Sequence, residues 1–258
     1  MTFKEALQAF IKRSKADLYS AFESGKAQGG DTDTAYNEGV EAGKKAQREE
    51  FWENYLGDKA DYSYAFCYWE DSAFYPTLDI ICPVHSQRVF MSFNSGSQKP
   101  FSLTERLKQC GKVLDTSNMR TPAFMFASSY ISEIPELNFT QATKIDGTFN
   151  SGFCLETIEK IRLKDDGTQT FTNASFNVTT LKNIAFEGVI GTNIWFDKCT
   201  LLTAESYHSI ITHCSKTASF TLTLPPEETV RSVYDAKYGE GAWDAIVAEY
   251  PNLTIMYS

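Results

Sequence analysis

The chain has 258 residues, a formal net charge of −9 and a 42% hydrophobic composition that includes 14% aromatic residues. This size and composition suffice for a substantial buried core and exclude wholesale disorder. The acidic balance argues against nucleic acid or an anionic membrane as a partner, because both reward clustered lysine and arginine.

The first predicted elements are two helices that make up an N-terminal helical region, residues 1–56. Residues 3–23 carry their apolar side chains broadly on one helical face. A second helix is predicted over residues 35–56, capped by Asp33 or Thr34 and apolar only at its end, FWENYL. It is interpreted either as a solvated helix that packs through that end or as a stalk through which the chain forms a homo-oligomer.

The opening residues, MTFKEALQAFIKRSK, are interrupted by charged side chains, so we expect no signal peptide. No stretch approaches the roughly 18 consecutive apolar residues of a membrane span. We therefore expect no insertion into a membrane.

Residues 57–100 are rich in aromatic residues and are predicted to form an N-terminal cap on the central part of the chain. Two stretches alternate apolar and other residues, as short strands do. They are Leu78, Ile80 and Cys82, and then Val89, Met91 and Phe93.

An apolar motif with spacings of three, three and two residues recurs through the middle of the chain, at intervals of 23–24 residues. The copies are ISEIPELNF, LETIEKIRL and VTTLKNIAF, which begin at Ile131, Leu155 and Val178, and LKQCGKVLD from Leu107 is a weaker copy. The last two apolar residues of each copy alternate as in a strand and are predicted to point inward. These pairs are Leu137/Phe139, Ile161/Leu163 and Ile184/Phe186.

Phenylalanines follow the same period, at Phe101, Phe126, Phe149, Phe171 and Phe196. Turns are predicted between copies at Asp146-Gly147, Asp166-Gly167 and Glu187-Gly188, where glycine readily supplies a positive φ. A unit of about 23 residues is too short to enclose a core, but stacked copies can bury a continuous apolar column. The pattern therefore predicts a solenoid over residues 101–202.

Residues 203–258 are predicted to form a C-terminal cap. A helix follows Thr203 as its cap, SFTLTLPP supplies a strand, two helices cover residues 230–238 and 242–250, and LTIMYS is a last strand. A solenoid needs its open end covered, and this mixture of helices and strands would do so.

The pattern L-x-x-L-x-x-L-x-L resembles the leucine-rich repeat, and the phenylalanine marker resembles its BspA-like subclass, found in bacterial surface proteins and bacteriophage proteins. TLKNIAFEGVIGTNIWFDKCTLLTAESYHSII is similar to the closing repeat and cap of short BspA-like chains in phages and prophages of gut bacteria. YNEGVEAGKKAQREEFWENY resembles the helix that often precedes those repeats. The resemblance implies an α/β fold: a leucine-rich repeat solenoid with an N-terminal helical region and an α/β C-terminal cap.

The resemblance also implies a function. It points to a non-catalytic binding or interaction module, associated with a virion or a bacterial cell surface, that contacts a protein or a surface glycan and needs no cofactor. One alternative is an enzyme of unrecognised type, such as a glycan hydrolase with two carboxylates about 5–10 Å apart. Another is a purely structural spacer.

Candidate binding residues follow from the strand alternation, which leaves every second side chain outside the predicted sheet. Glu136, Lys160 and Asn183 are predicted to form one ladder, and Asn138, Arg162 and Ala185 its neighbour. Glu136 is expected opposite Lys160. The alternative is that these charges only pair with each other and solvate the sheet.

Candidate metal ligands are Cys82, His85, Cys199, His208, His213 and Cys214. Their spacing matches no compact zinc motif, so we interpret the cysteines as buried thiols and expect no metal site. No sequence signature of a nucleophile or a phosphate-binding loop is present, and no catalytic residue is assigned. Asp165 and Asp166 precede Gly167 and are interpreted as a turn rather than calcium ligands.

Overall fold

The computed structural model of the chain describes residues 62–258, apart from residues 64, 72, 73 and 173. The helices predicted over residues 3–23 and 35–56 lie outside the described residues. The stalk and the oligomer it would form therefore stay predictions.

The chain divides into two compact units. One comprises Met1–Asp58 with Pro76–Leu78, and the other comprises Lys59–Tyr75 with Asp79–Ser258. The second unit contains all the helices and strands described below.

The second unit is a mixed α/β structure in which every strand pair is parallel. Its strands are β1 (Ile80–Ile81), β2 (Phe101–Ser102), β3 (Leu114–Asp115), β4 (Ile131–Ile134), β5 (Leu137–Asn138), β6 (Lys144–Ile145), β7 (Thr157–Arg162), β8 (Thr170–Phe171), β9 (Asn183–Glu187), β10 (Ile194–Trp195), β11 (Phe220–Leu224) and β12 (Leu253–Tyr257). Its helices are α1 (Leu103–Cys110), α2 (Ala204–Thr212), α3 (Glu227–Tyr238) and α4 (Ala242–Val247).

The largest sheet is organised around β7, which pairs with β4, β5 and β9, while β2 pairs with the far side of β4. Two small sheets join β1 to β3 and β6 to β8, and a three-stranded sheet has the order β10-β11-β12. Consecutive parallel partners need a crossover between them, and here each crossover is a loop or helix of the intervening chain.

The first two clear copies of the motif pair in the predicted register. Ile134 lies opposite Ile158, and Leu137 lies opposite Ile161. All the apolar side chains predicted to point inward are buried: Leu137, Phe139, Ile161, Leu163, Ile184 and Phe186. Burial of this apolar column is the main favourable term for such short strands.

The predicted register of the third copy is wrong. Ile184 lies opposite Ile158, and Ile161 lies opposite Phe186 rather than Ile184. Ile184 is offset from Ile158 by 26 residues, instead of the 23 that the motif spacing predicts, and the offset falls to 25 at Ile161 and Phe186. It changes along the strands because Ile158 and Ile161 of β7 are three residues apart, whereas Ile184 and Phe186 of β9 are two apart. The extra residue in β7 is taken up as a bulge.

A column of stacked phenylalanine rings runs through the core. Phe66, Phe90, Phe126, Phe149, Phe176 and Phe196 follow one another with ring centroids 5.0, 5.4, 5.8, 5.4 and 4.6 Å apart. Three of these, Phe126, Phe149 and Phe196, belong to the periodic set predicted from the sequence. The other two members of that set, Phe101 and Phe171, are buried beside the column, against Phe93 and Phe176 respectively.

Two backbone positions four residues apart take a left-handed conformation in three successive segments of the chain. They are Arg88 and Ser92, Phe124 and Ser128, and Gly147 and Ser151, with φ between 53° and 57°. Each pair is joined to the next segment by backbone hydrogen bonds, such as Phe124 N–H to Asp146 O at 2.9 Å and Ser128 N–H to Asn150 O at 2.9 Å. Left-handed backbone at residues other than glycine is unusual, so the three segments share a distinctive backbone feature.

The three predicted turn glycines also adopt positive φ, as expected: 57° at Gly147, 65° at Gly167 and 88° at Gly188. Gly188 is required for two reasons: its φ is positive, and a Cβ there would lie within 3 Å of the Leu163 carbonyl group.

Two sequence-based assignments upstream are wrong. The weak motif copy at Leu107 is helix α1 followed by β3, and Val113, which it would have buried, is 58% exposed. The alternation at Val89, Met91 and Phe93 is not a strand but a turn region with left-handed Arg88 and Ser92. The other predicted strand, over Leu78, Ile80 and Cys82, forms only in its central part, as β1 (Ile80–Ile81).

The elements predicted after residue 203 are confirmed, with shifted ends. The hydroxyl of Thr203 accepts a hydrogen bond from the Ser206 N–H and caps α2. Helix α3 begins at Glu227, directly after two prolines, earlier than predicted, and α4 ends at Val247, before residue 250. None of the helices in the part of the chain that the structure describes has the length and apolar character needed to cross a bilayer.

Candidate functional site

Three of the five predicted binding residues lie together on the outer side of the largest sheet. Lys160 Nζ lies 3.7 Å from a Glu136 carboxylate oxygen, as expected, and Arg162 Nε also contacts Glu136. Lys160 and Arg162 are both on β7, and Glu136 directly precedes β5, which pairs with β7.

Glu187 completes this group and was missed by sequence reasoning. Its carboxylate lies 3.2 Å from Lys160 Nζ and 3.5 Å from Arg162 Nε. The predicted ladder placed Ala185 opposite Arg162, but the observed register of β7 and β9 places Glu187 there instead. We call Glu136, Lys160, Arg162 and Glu187 the charged cluster.

The remaining two predicted residues lie outside the charged cluster. The Asn138 side chain accepts hydrogen bonds from Thr140, at 3.1 Å from its N–H and 2.7 Å from its hydroxyl, so it shapes a turn. Asn183 lies opposite Thr157 rather than Lys160, and its amide donates to the Thr157 hydroxyl at 3.3 Å. The first rung of each ladder therefore forms as predicted, with Glu136 beside Lys160 and Asn138 opposite Arg162. The second rung does not, because neither Asn183 nor Ala185 takes its predicted place.

The charged cluster holds two cations against two carboxylates, with side chains 35–51% exposed. Exposed ion pairs of this kind contribute about 0–1 kcal/mol each, because solvent screens them. Each charge already has partners of opposite sign. This arrangement matches the alternative in which the charges pair and solvate the sheet.

An exposed aromatic pair lies elsewhere on the same unit. The Phe153 side chain is 54% exposed, and its ring centroid lies 5.0 Å from that of half-buried Tyr130. The backbone N–H of Phe153 donates to the Ser129 carbonyl at 3.1 Å, which fixes the two segments side by side. Aromatic side chains are enriched at the centre of binding surfaces.

Amide and hydroxyl side chains lie two or three residues before Phe153 in the chain and on the segment hydrogen-bonded there. The Asn177 amide donates to the Asn150 side-chain oxygen at 3.1 Å, and the Ser151 hydroxyl reaches the same oxygen at 3.2 Å. We call Tyr130, Phe153, Asn150, Ser151 and Asn177 the aromatic–amide patch. Residues 127–132, 147–155 and 174–181, which carry the patch, contain no charged residue.

The candidate metal ligands are dispersed and have other partners. Cys199 Sγ donates to the Phe176 carbonyl, His208 Nδ1 lies 2.8 Å from the Tyr234 hydroxyl, and His213 Nδ1 lies 2.7 Å from the Ser209 carbonyl. Within the described residues, no three or more histidine, cysteine or acidic side chains are grouped as metal binding requires.

Three cysteines are buried thiols, as predicted: Cys82, Cys199 and Cys214. Burial raises the pKa of the Cys199 and Cys214 thiols to about 12, and it also raises the pKa of Cys82. A thiol that stays protonated is a poor nucleophile and a poor metal ligand. Cys67, Cys110 and Cys154 are only partly buried.

The Asp165-Asp166 segment forms the predicted turn. The Asp166 carboxylate accepts hydrogen bonds from the Thr168 N–H at 2.9 Å and the Thr168 hydroxyl at 2.8 Å. These bonds hold the pKa of the Asp166 carboxyl below its ordinary value, because they favour the ionised form.

Comparison of the chain with known protein families, with curated proteins and with solved structures gave no match.

Proposed function

We propose that this chain is a BspA-like leucine-rich repeat protein whose stacked segments form a solenoid. Three observations support it: the parallel pairing of strands about one motif length apart, the phenylalanine column and the recurring left-handed pairs. Phe66 and Phe90 extend the column upstream of residue 101. The solenoid would then begin inside the region interpreted from the sequence as an N-terminal cap, residues 57–100.

We propose further that the protein is a non-catalytic binding module that contacts a surface glycan. The aromatic–amide patch carries this proposal. A sugar ring has an apolar C–H face and a rim of hydroxyl groups, and an exposed aromatic ring beside amide and hydroxyl side chains offers a partner to each. A patch without charge fits a neutral saccharide better than an ionic partner.

The charged cluster supports binding less well. Its cations and carboxylates neutralise each other, so a ligand would have to displace existing ion pairs and would gain little. The test therefore treats the predicted binding residues as the competing site. They are Glu136, Asn138, Lys160, Arg162 and Asn183. A virion or a bacterial surface is the setting that the sequence resemblance implies.

The test uses the full chain, fluorescently labelled, on an array of neutral and sulfated oligosaccharides. We expect binding to a neutral glycan, which Phe153→Ala reduces at least tenfold. Tyr68→Ala removes a ring that is 67% exposed elsewhere and is the matched control; it should bind like the parent.

The Lys160→Glu/Arg162→Glu variant tests the competing site. Loss of glycan binding in this variant, with Phe153→Ala unaffected, would move the site to the charged cluster. A parent chain that binds no glycan on the array would overturn the proposed function. Melting curves of all variants exclude unfolding as the cause of lost binding.

A further inference from the structure

Strand β12, Leu253–Tyr257, lies at one edge of the three-stranded sheet. It pairs with β11 along its whole length, from Phe220 opposite Leu253 to Leu224 opposite Tyr257. Its other edge has no strand partner among the described residues. Such an edge carries backbone N–H and C=O groups ready to pair with another strand.

The free groups can be identified from the alternation of the parallel ladder. The N–H of Ser258 donates to the Leu224 carbonyl of β11 at 3.1 Å. Since successive residues of a strand present their backbone groups to opposite sides, Met256 and Thr254 also face β11. Ile255 and Tyr257 therefore present their N–H and C=O groups to the free edge.

This edge lacks the usual protection against pairing. Natural edge strands commonly carry lysine, proline or inward-pointing charge, or are very short. The sequence LTIMY contains no charged residue and no proline. On a chain of net charge −9, this strand is a place where two copies can meet without direct repulsion between strands.

We propose that β12 pairs with β12 of a second copy of this chain, antiparallel about a two-fold axis at Ile255. A two-fold interface brings the same strand from each copy together, so it must be self-complementary. Centred on Ile255, the strand meets this condition, because the N–H and C=O of Ile255 meet those of Ile255 in the second copy and the N–H of Tyr257 meets the carbonyl of Leu253. The N–H of Leu253 stays bonded to the Tyr250 carbonyl of its own chain, at 3.0 Å. The pairing joins two three-stranded sheets into a continuous six-stranded one.

The side chains agree with this arrangement. On the outer face Met256, which is 55% exposed, lies beside Thr254 of the second copy. On the inner face Leu253, Ile255 and Tyr257 are half-buried and gain cover from their counterparts. The Tyr257 side chain is held in place by a 2.8 Å hydrogen bond from Trp243 Nε1 to its hydroxyl.

The test measures molar mass by light scattering during size-exclusion chromatography of the full chain, from about 1 to about 200 μM, because dimer content depends on concentration. We expect a dimer at high concentration. Ile255→Pro removes an N–H that faces only the free edge, so it should give a monomer with little change in melting temperature.

Thr254→Pro is the matched control, because it removes an N–H that faces β11 and should lower the melting temperature instead. Hydrogen exchange at the Ile255 amide gives a second measurement that needs no variant. We expect slow exchange at high concentration and fast exchange on dilution.

Two results would overturn the proposal. One is a dimer that persists in Ile255→Pro. The other is a parent chain that stays monomeric at every concentration. Fast exchange of its Ile255 amide would then show that the edge is empty. Slow exchange would show that another segment of the same chain covers the edge. Neither result bears on glycan binding, which the array tests separately.

Discussion

The Oγ atom of Ser206, on helix α2, accepts a hydrogen bond from the backbone N–H of Ile184, on strand β9, at 2.9 Å. Two residues further along β9, the N–H of Phe186 donates to Ser209 Oγ at 2.8 Å. The serines of α2 thus replace the next strand along the edge of the largest sheet. The sheet ends here because a helix satisfies its backbone groups.

We expect Ser206→Ala to lower the free energy of unfolding by about 1–3 kcal/mol, because it leaves a buried N–H without a partner. Ser232→Ala, on the exposed side of α3, is the control and should change stability by less than about 0.5 kcal/mol. Urea titration measures both. Equal effects of the two variants would show that α2 does not cap β9 in this way.

The register of β7 and β9 can be tested by double-mutant cycles. Ile161→Ala alone should cost about 2–5 kcal/mol, as deletion from a packed core does. We expect the coupling energy between Ile161 and Phe186 to exceed that between Ile161 and Ile184, because only the former pair lies opposite. The exposed Thr179→Ala serves as the control. A larger coupling of Ile161 with Ile184 would restore the register that the sequence period predicted.

The close approach of Gly147 and Phe124 gives a third prediction. A Cβ on Gly147 would lie 2.5 Å from the Phe124 ring, whereas one on Gly111, also left-handed at φ 62°, would meet nothing within 4 Å. Both alanine variants are destabilised by the positive φ, but Gly147→Ala should cost about 1–3 kcal/mol more because it overpacks the site. Thermal unfolding measures the difference. Adding Phe124→Ala to Gly147→Ala should remove most of this additional destabilisation. If it does not, a clash with the Phe124 ring is not the cause.

Stability should fall in alkaline solution because of the buried thiols. In the folded chain the pKa of Cys199 and of Cys214 is raised to about 12, from an ordinary value of 9.0. The unfolded chain therefore loses these protons first as pH rises. The stabilisation by each protonated thiol is fully present below pH 9. Between pH 9 and pH 12 the free energy of unfolding falls by about 1.4 kcal/mol per pH unit for each thiol.

Urea titrations at pH 8 and pH 10 measure this decline. Cys214→Ala should make it less steep, and Cys110→Ala, at a partly buried position, should leave it unchanged. An identical decline in both variants would show that the thiols do not cause it.

Much of the core could be predicted from apolar spacing, but the register could not. The spacing located Leu137, Ile161 and Ile184 in the interior, because burial of an apolar face is what the sequence pattern records. Both the register of a strand pair and a bulge in it depend on how the two strands fit together, and a single motif contains no sign of either. The same holds for the left-handed backbone at Arg88 and Phe124, which neither residue type favours.

The candidate site residues could likewise be predicted only in part. Glu136, Lys160 and Arg162 could be grouped from the sequence because they lie on adjacent strands whose first register was correct. Glu187 could not, since its position opposite Arg162 depends on the register of β9, which the motif spacing predicts wrongly. Phe153 could not be recognised as exposed, because Phe149 and Leu155 on either side of it are buried and the sequence does not distinguish it from them.

The hydrogen bonds between successive segments also have a mechanical consequence. They connect each segment mainly to the next one along the stack, as Phe90 N–H is joined to Met125 O and Phe126 N–H to Thr148 O. If these segments form the proposed solenoid, a force that separates its two ends loads one boundary at a time. In a single-molecule pulling experiment between residues 62 and 258, we expect a series of small steps that each release one segment, rather than a single rupture of the whole unit.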